Sequence, residues 1–246
     1  MALPTIVTPR YTLEQPSTGK QISFRPFLVK EEKILLMALE SDDASEAIRA
    51  TKQVIENCCD DLGNIDDLPM FDIEYILLQL RSKSVGEVAE PVIKCSKCDG
   101  DIKLKIDLSK IAVTKNKKHT TKVQITNTVG LIMKYPTYAT LQNIQGAENL
   151  TATETIDLML SCIEFIYDDK QQHKASEQTS TELHEFIDHL TQAHFAKIQE
   201  FFDTMPRLEH TVSYTCTNKV RTGDTTSEKC GHKGKVVINN LQDFFG

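Results

Sequence analysis

Apolar and polar positions alternate over Arg10–Glu14 and again over Gln21–Arg25, on either side of a segment holding Pro16 and Gly19. That pattern predicts a β-hairpin, which Pro26 ends. From Lys30 the period changes. Ile34, Leu35, Ala38 and Leu39 share one helical face, with Glu31, Glu32, Lys33 and Glu40 elsewhere. Asp42-Asp43 supplies an N-cap for a second helix over about Ala44–Asn57. After an acidic, turn-rich stretch from Asp60 to Pro69, a third helix turns Phe71, Tyr75 and Leu78, with Ile76 and Leu80, toward a core. Gly86 is its C-terminal stop.

Strand-like runs follow at Val92-Ile93, Ile102–Ile106, Val123–Thr126 and Leu131–Tyr135. The period returns to helical over Thr151–Tyr167, where Ile156, Met159, Leu160 and Ile163 line up behind a Thr151 or Thr153 cap. Asp168–Glu182 reads as a polar, mobile surface loop, and Thr181–Met205 as one last helix ended by Pro206. The tail is strand, polar excursion, strand: Glu209–Thr215, then Gly234–Asn239. The pattern predicts an α+β protein in two units. Residues 1–87 form a hairpin with three helices, and residues 88–246 a β unit interrupted by a helical insertion over about 138–206.

Charge narrows the function. The 246 residues hold 28 Lys and Arg against 35 Asp and Glu, a net of −7, which disfavours a general phosphate-backbone binder. The apolar runs Ile34–Leu39 and Ile73–Leu80 are far shorter than the ~20 residues that cross a bilayer, and no secretory signal is expected at the start. Against this background, Lys94–Lys122 holds nine Lys and three Asp. A solvated strand edge explains such a run, as does an acidic or nucleic-acid partner; no aromatic residue interleaves the lysines for base stacking.

Seven cysteines in a chain made in a reducing compartment do not suggest a disulfide framework. Cys58 and Cys59 are adjacent, and Cys162 lies in an apolar run. The other four have metal-ligand form. Cys95-Ser-Lys-Cys98-Asp-Gly100 lies between strands, and its two-residue spacer lets a turn aim both sulfurs at one ion. Cys230-Gly-His232 resembles the second half of such a knuckle, but its usual partner position holds Ser227. Thr217–Lys229 then reads as an insertion, with Cys216 the displaced partner and His232 the substitute. Cys95, Cys98, Cys216 and Cys230 thus predict one structural zinc per chain in a zinc-ribbon-like unit. The alternatives are metal-free hairpins with reduced thiols and a redox CxxC, which would need a helix N-terminus.

No other chemistry stands out. His184, His189 and His194 recur every five residues, a rotation of about 140° per step, so they do not share a helix face. No GxGxxG, Walker loop or GxSxG elbow is present. The sequence therefore predicts no enzyme.

The stretch Phe24-Arg-Pro-Phe-Leu-Val-Lys-Glu-Glu-Lys-Ile-Leu-Leu-Met-Ala38 resembles the opening of the T4-type bacteriophage baseplate protein family, which contains hub subunits and hub assembly proteins of contractile tails. Val54–Cys58, Phe71–Tyr75, Leu80–Glu87, the CxxC and the terminal Cys-Gly segment extend the resemblance over most of the chain. It implies a non-enzymatic protein that associates with other tail and hub proteins, in the host cytoplasm during assembly and in the virion if incorporated. Arg25, Phe27, Lys30 and Arg81 are the candidate partner-binding residues. A structural reading stands beside that one, with Arg25 paired to Glu31 or Glu32 and Phe24 and Phe27 stapling the hairpin to the first helix. The alternative function is a zinc-ribbon nucleic-acid-binding regulator using the Lys94–Lys122 surface.

Overall fold

A computed structural model describes residues 7–40, 44–142, 151–221 and 227–238. Strands β1 (Tyr11–Glu14) and β2 (Gln21–Phe24) form the expected antiparallel hairpin, with Tyr11 opposite Phe24. Its turn is tied down by a buried carboxylate: Asp72 accepts hydrogen bonds from Gln15 Nε2 at 2.7 Å and from the Ser17 backbone N–H at 3.0 Å. Helix α1 (Val29–Glu40) lies on helix α2 (Ala44–Cys58), which runs into the short strand β3 (Cys59–Asp60) beside β2. The Asp42-Asp43 cap lies outside the described residues.

Helix α3 (Met70–Ser84) carries more buried side chains than a surface helix would, Phe71, Ile73, Ile76, Leu77, Leu78 and Leu80 among them. It is covered on several sides. Ile73, Ile76, Leu77 and Leu80 belong to a first core with Ile22, Phe24 and Ile55, whereas Leu78 belongs to another core formed by the β unit. The helix ends at Val85, whose N–H donates to the Arg81 carbonyl at 2.9 Å, and Gly86 follows at φ +137°, a conformation side chains rarely adopt.

Next come short strands: β4 (Val88–Ala89), β5 (Val92–Lys94), β6 (Asp101–Lys103), β7 (Ile106–Asp107) and β8 (Val113–Thr114). They precede β9 (Lys122–Gln124) and β10 (Gly130–Met133). After α4 (Tyr138–Gln142) and α5 (Ala152–Ser161), strand β11 (Ile163–Tyr167) and strand β12 (Gln172–Lys174) complete a four-stranded antiparallel sheet in the order β12-β11-β10-β9. Helices α6 (Ser180–Asp188) and α7 (Gln192–Thr204) share a second core with this sheet, built on Leu131, Met133, Leu160, Ile163, Ile198 and Phe201.

The tail holds β13 (Arg207–Leu208), β14 (His210–Thr215), β15 (Lys219–Arg221), β16 (Ser227–Lys229) and β17 (Lys233–Ile238). It returns to the early strands. β13 pairs with β8, and β14 with β17. Alternation puts Val212, Tyr214, Val236 and Ile238 on one face of the long ribbon. That face meets Ala89, Leu104, Ile106, Leu108, Ile111 and Leu208 in a third core, against Leu78 of α3. The fold is mixed α+β, with small antiparallel sheets.

Three expectations are corrected. Thr151–Tyr167 is not one helix: α5 ends at Cys162, and Ile163–Tyr167 pairs with β10 as a central strand. Its aromatic and β-branched residues suit a pleated, half-buried surface. Asp168–Glu182 is not a loop throughout. Asp168 Oδ1 accepts from the N–H groups of Lys170 and Gln171 at 2.7 and 2.9 Å, making a tight turn into β12. Thr181–Met205 is two helices, because Thr191 accepts from the His194 N–H and starts a new one.

Candidate metal centre

Hairpin β5–β6 is closed by the CxxC turn. The Cys95 N–H donates to the Gly100 carbonyl at 3.0 Å and the Asp99 N–H to the Cys95 carbonyl at 2.8 Å. Asp99 sits in the left-handed region at φ +58°. This turn leaves both sulfurs on one side, toward the end of ribbon β14–β17.

The second half is a knuckle opened by an inserted hairpin. The Cys216 N–H donates to the His232 carbonyl (2.8 Å), the Gly231 N–H to the Cys216 carbonyl (3.1 Å) and the Cys230 N–H to the Asn218 carbonyl (2.7 Å). Between Asn218 and Cys230 the chain leaves as β15 and returns as β16, so the thirteen residues that separate Cys216 from Cys230 become a small spatial gap. Ser227, the residue in the usual partner position, is paired with Arg221 in that hairpin.

The two halves are clasped by direct contacts. Asn218 Nδ2 donates to the Asp101 carbonyl at 2.9 Å, and Ser96 Oγ meets His232 Nε2 at 3.0 Å. Asn218 lies so close that a Cβ on Gly100 would overlap its amide, so the approach requires glycine there. Sequence reading missed Asn218, Gly100 and Ser96 as parts of this site. A polar residue two positions after Cys216 and a glycine two after Cys98 were the only signals.

All four sulfurs lie within 4.8 Å of one another. Cys98–Cys216 is 3.6 Å and Cys95–Cys230 is 3.9 Å. Four thiolates around zinc at ~2.3 Å stand about 3.8 Å apart at the corners of a tetrahedron, so the spacing fits the ion. It does not fit disulfides, whose sulfurs are ~2.05 Å apart. Cys95 and Cys216 are buried, Cys98 and Cys230 half-buried. His232 is engaged by Ser96 and edge-on to Tyr214, rather than joining the cluster as a substitute ligand.

The thiols differ. Burial raises Cys95, but the N–H groups of Lys97 and Cys98 and the neighbouring thiols outweigh it and bring it down to about 7. For Cys98 the Gly100 N–H favours the thiolate, yet desolvation and the other three thiols push it up to about 12. Cys216 is also raised, chiefly by burial. One negative charge forms readily here and further ones are resisted, a balance that a bound dication reverses. Cys58, Cys59 and Cys162 are buried elsewhere, and desolvation pushes them up to about 11, 12 and 11, the condition of inert structural thiols.

Among the described residues, the four cysteines are the one group of three or more Cys, His, Asp and Glu placed to hold a metal ion. The histidines are used singly. His184 Nε2 meets Asp157 at 2.8 Å, and His189 Nδ1 donates to the Glu185 carbonyl.

The candidate partner-binding residues lie near one another on the first core. Arg25 donates to Glu31 Oε1 at 3.0 Å and to the Asn57 carbonyl at 2.9 Å. Glu31 is fully buried; desolvation raises its pKa, but Arg25 and the Leu28 N–H outweigh that and hold it below its ordinary value. Phe27 is buried, with its N–H on Ser84 Oγ, and Arg81 is buried with NH1 on the Gly86 carbonyl. Of the four, Lys30 is the one exposed to solvent. No described helix is long and apolar enough to cross a membrane.

A family model described as "T4 bacteriophage base plate protein" matches residues 8–246. No curated protein and no solved structure matches the chain.

Proposed function

The chain belongs to the T4 bacteriophage base plate protein family, and we propose that it builds the baseplate hub, as a hub subunit or hub assembly protein, through protein–protein association and without catalysis. The observation that carries this reading is the family match over residues 8–246, nearly the whole chain. The chemistry supports it. Among the described residues the one convergent cluster is four thiols, and a four-thiolate ion has no open position for substrate or water.

We further propose that the cluster holds one structural zinc, making ribbon β5–β6 and ribbon β14–β17 a zinc-ribbon-like unit. The ion would supply a closed cross-link. Cys95 and Cys98 would hold it from one hairpin, Cys216 and Cys230 from the other, with Ser96, Asn218 and His232 fixing the approach. In this reading the units are residues 1–87 and 88–246. The exposed Lys30, in the first turn of α1, is the member of the N-terminal set that reaches a partner, with Arg25, Phe27 and Arg81 holding the start of that helix from beneath.

Two measurements test the reading. Quantifying the chain in purified particles against infected-cell lysate separates subunit from assembly factor; absence from particles and from every tail-assembly intermediate would overturn a hub role. Elemental analysis of protein prepared without chelator should find about one zinc per chain. A nucleic-acid-binding regulator is the competing function, since the β unit is rich in lysine. Three lysines of the Lys94–Lys122 run are engaged by carboxylates, Lys94 with Asp101, Lys105 with Glu90 and Lys110 with Asp107. Specific, salt-dependent binding of DNA or RNA in a shift assay would favour the regulator.

A further inference from the structure

Helix α1 is apolar on two opposite faces. Ile34, Leu35 and Ala38 pack inward. Facing solvent are Val29, Leu36 and Met37, which are 65%, 52% and 70% exposed, with Leu28 just before them at 40%. Four of the nine large hydrophobic residues that the described chain exposes therefore fall within ten positions. An exposed apolar patch rimmed by charged residues marks an interaction site.

The polar residues on that face identify what covers it. At 100° per residue, Val29, Lys33, Leu36, Met37 and Glu40 fall within an arc of about 100°. All five are exposed. Their order reads the same in complement from either end: Lys33, Leu36, Met37, Glu40. A two-fold axis between Leu36 and Met37 sets Leu36 against Met37 of a second copy, and Lys33 against Glu40 of that copy, twice over. Neither Lys33 nor Glu40 has an ion-pair partner among the described residues of its own chain. An unrelated partner does not require this palindrome; an isologous contact does, because residue i meets j and j meets i.

We propose that the outer face of α1 is a docking surface for α1 of a second copy of this chain, packed antiparallel about the Leu36–Met37 midpoint. The contact does not depend on the hub reading, and its failure would leave that reading untouched. The overlap from residue 33 to residue 40 is about two helical turns, so the dimer is weak and its population depends on concentration.

Sedimentation velocity of the full chain from about 1 to 200 μM tests it, a range that spans weak association. The sedimentation coefficient should rise with concentration. Leu36→Ser with Met37→Ser should remove the rise while leaving the melting temperature unchanged, since both side chains already face water. The decisive variants reverse charge. Lys33→Glu alone and Glu40→Lys alone place like charges together at both ends and should each weaken dimerisation about tenfold or more. The double variant Lys33→Glu/Glu40→Lys should restore it. A chain that stays monomeric throughout would overturn the proposal. So would dimers that ignore the single reversals, or a double variant as weak as the singles.

Discussion

Loss of the proposed zinc should be felt in a defined part of the molecule. Cys98 and Cys216 stand 118 positions apart, and a link between them closes the intervening chain into one loop. On the chain-entropy account, a cross-link closing a loop of that length removes about 5 kcal/mol of unfolded-state freedom. Without the ion, ribbon β5–β6 and ribbon β14–β17 keep the third core, the Asn218–Asp101 hydrogen bond and the Ser96–His232 contact. These contacts then close the loop unaided. Cys98→Ser, or chelation of the wild type, should therefore lower the opening free energy of the ribbons by up to ~5 kcal/mol, three to four decades of amide protection. Hydrogen exchange read by mass spectrometry should show faster exchange in residues 92–103, 210–216 and 230–238 first. The effect should reach α3 through Leu78, which packs in the third core. Ile22, Phe24 and Ile55 belong to the first core, and Leu131, Met133 and Phe201 to the second, so their elements should hold longer. Cys162→Ser, buried in that second core, should leave metal content unchanged. Uniform loosening would mean a single cooperative unit, and unchanged exchange would mean that the four sulfurs share no ion.

Three further outcomes follow from single residues. Burial pushes Glu74 up to about 7 from the ordinary glutamate value of 4.5; the native state thus keeps a proton between those pH values that the unfolded chain has released, and stability is lost as pH rises through the window. Glu74→Gln should be neutral near pH 4 and stabilising by up to ~3 kcal/mol at pH 8 in denaturant titrations; equal effects at both pH values would contradict the burial argument. Gly100→Ala should weaken metal retention in a chelator competition by pushing Asn218 away, and Asn218→Gly in the same chain should recover part of it by removing the clash, the Asn218–Asp101 hydrogen bond staying lost; no recovery would place the defect elsewhere. Leu35→Asp should destabilise the first core by about 3 kcal/mol, because a charge replaces a packed side chain, and an unchanged melting temperature would show that this face is not part of the core.

The parts of the fold that were legible are those whose signals are local. Pro16 and Gly19 mark the turn of the first hairpin and Pro26 its end, and a threonine cap at Thr151 announces α5. Cys95-x-x-Cys98 marks its own turn, and the polar excursion after Cys216 marks its own insertion. Ile163–Tyr167 was misread because Ile156, Met159, Leu160 and Ile163 keep a helical period up to the point where β10 claims the backbone, and that pairing partner lies about thirty residues upstream. β12 was hidden for the same reason, since Gln172–Lys174 becomes a strand through pairing with β11. Asn218 could not be assigned from spacing, because its role depends on two hairpins more than a hundred residues apart meeting edge to edge.

Net charge, read over the whole chain, conceals how the molecule divides it. Residues 88–133 and 207–246 hold 15 Lys and Arg against 8 Asp and Glu, a balance of +7, and the remaining residues hold 13 against 27, a balance of −14. Taken alone, the β unit therefore carries the positive balance that binding a polyanion requires. What separates the readings is the form of the basic surface. Lys233, Lys235 and Val237 alternate on the exposed face of β17, opposite Thr215, Ser213 and Thr211. This flat ribbon mixes charge with an apolar side chain and exposes no aromatic residue on that face to stack a base. Nucleic acid rewards lysines with released counterions, whereas an acidic protein surface also rewards the valine. A molecule with a basic β unit and an acidic remainder is suited to a place between charged neighbours in a defined orientation, which is what a place in a baseplate asks of it.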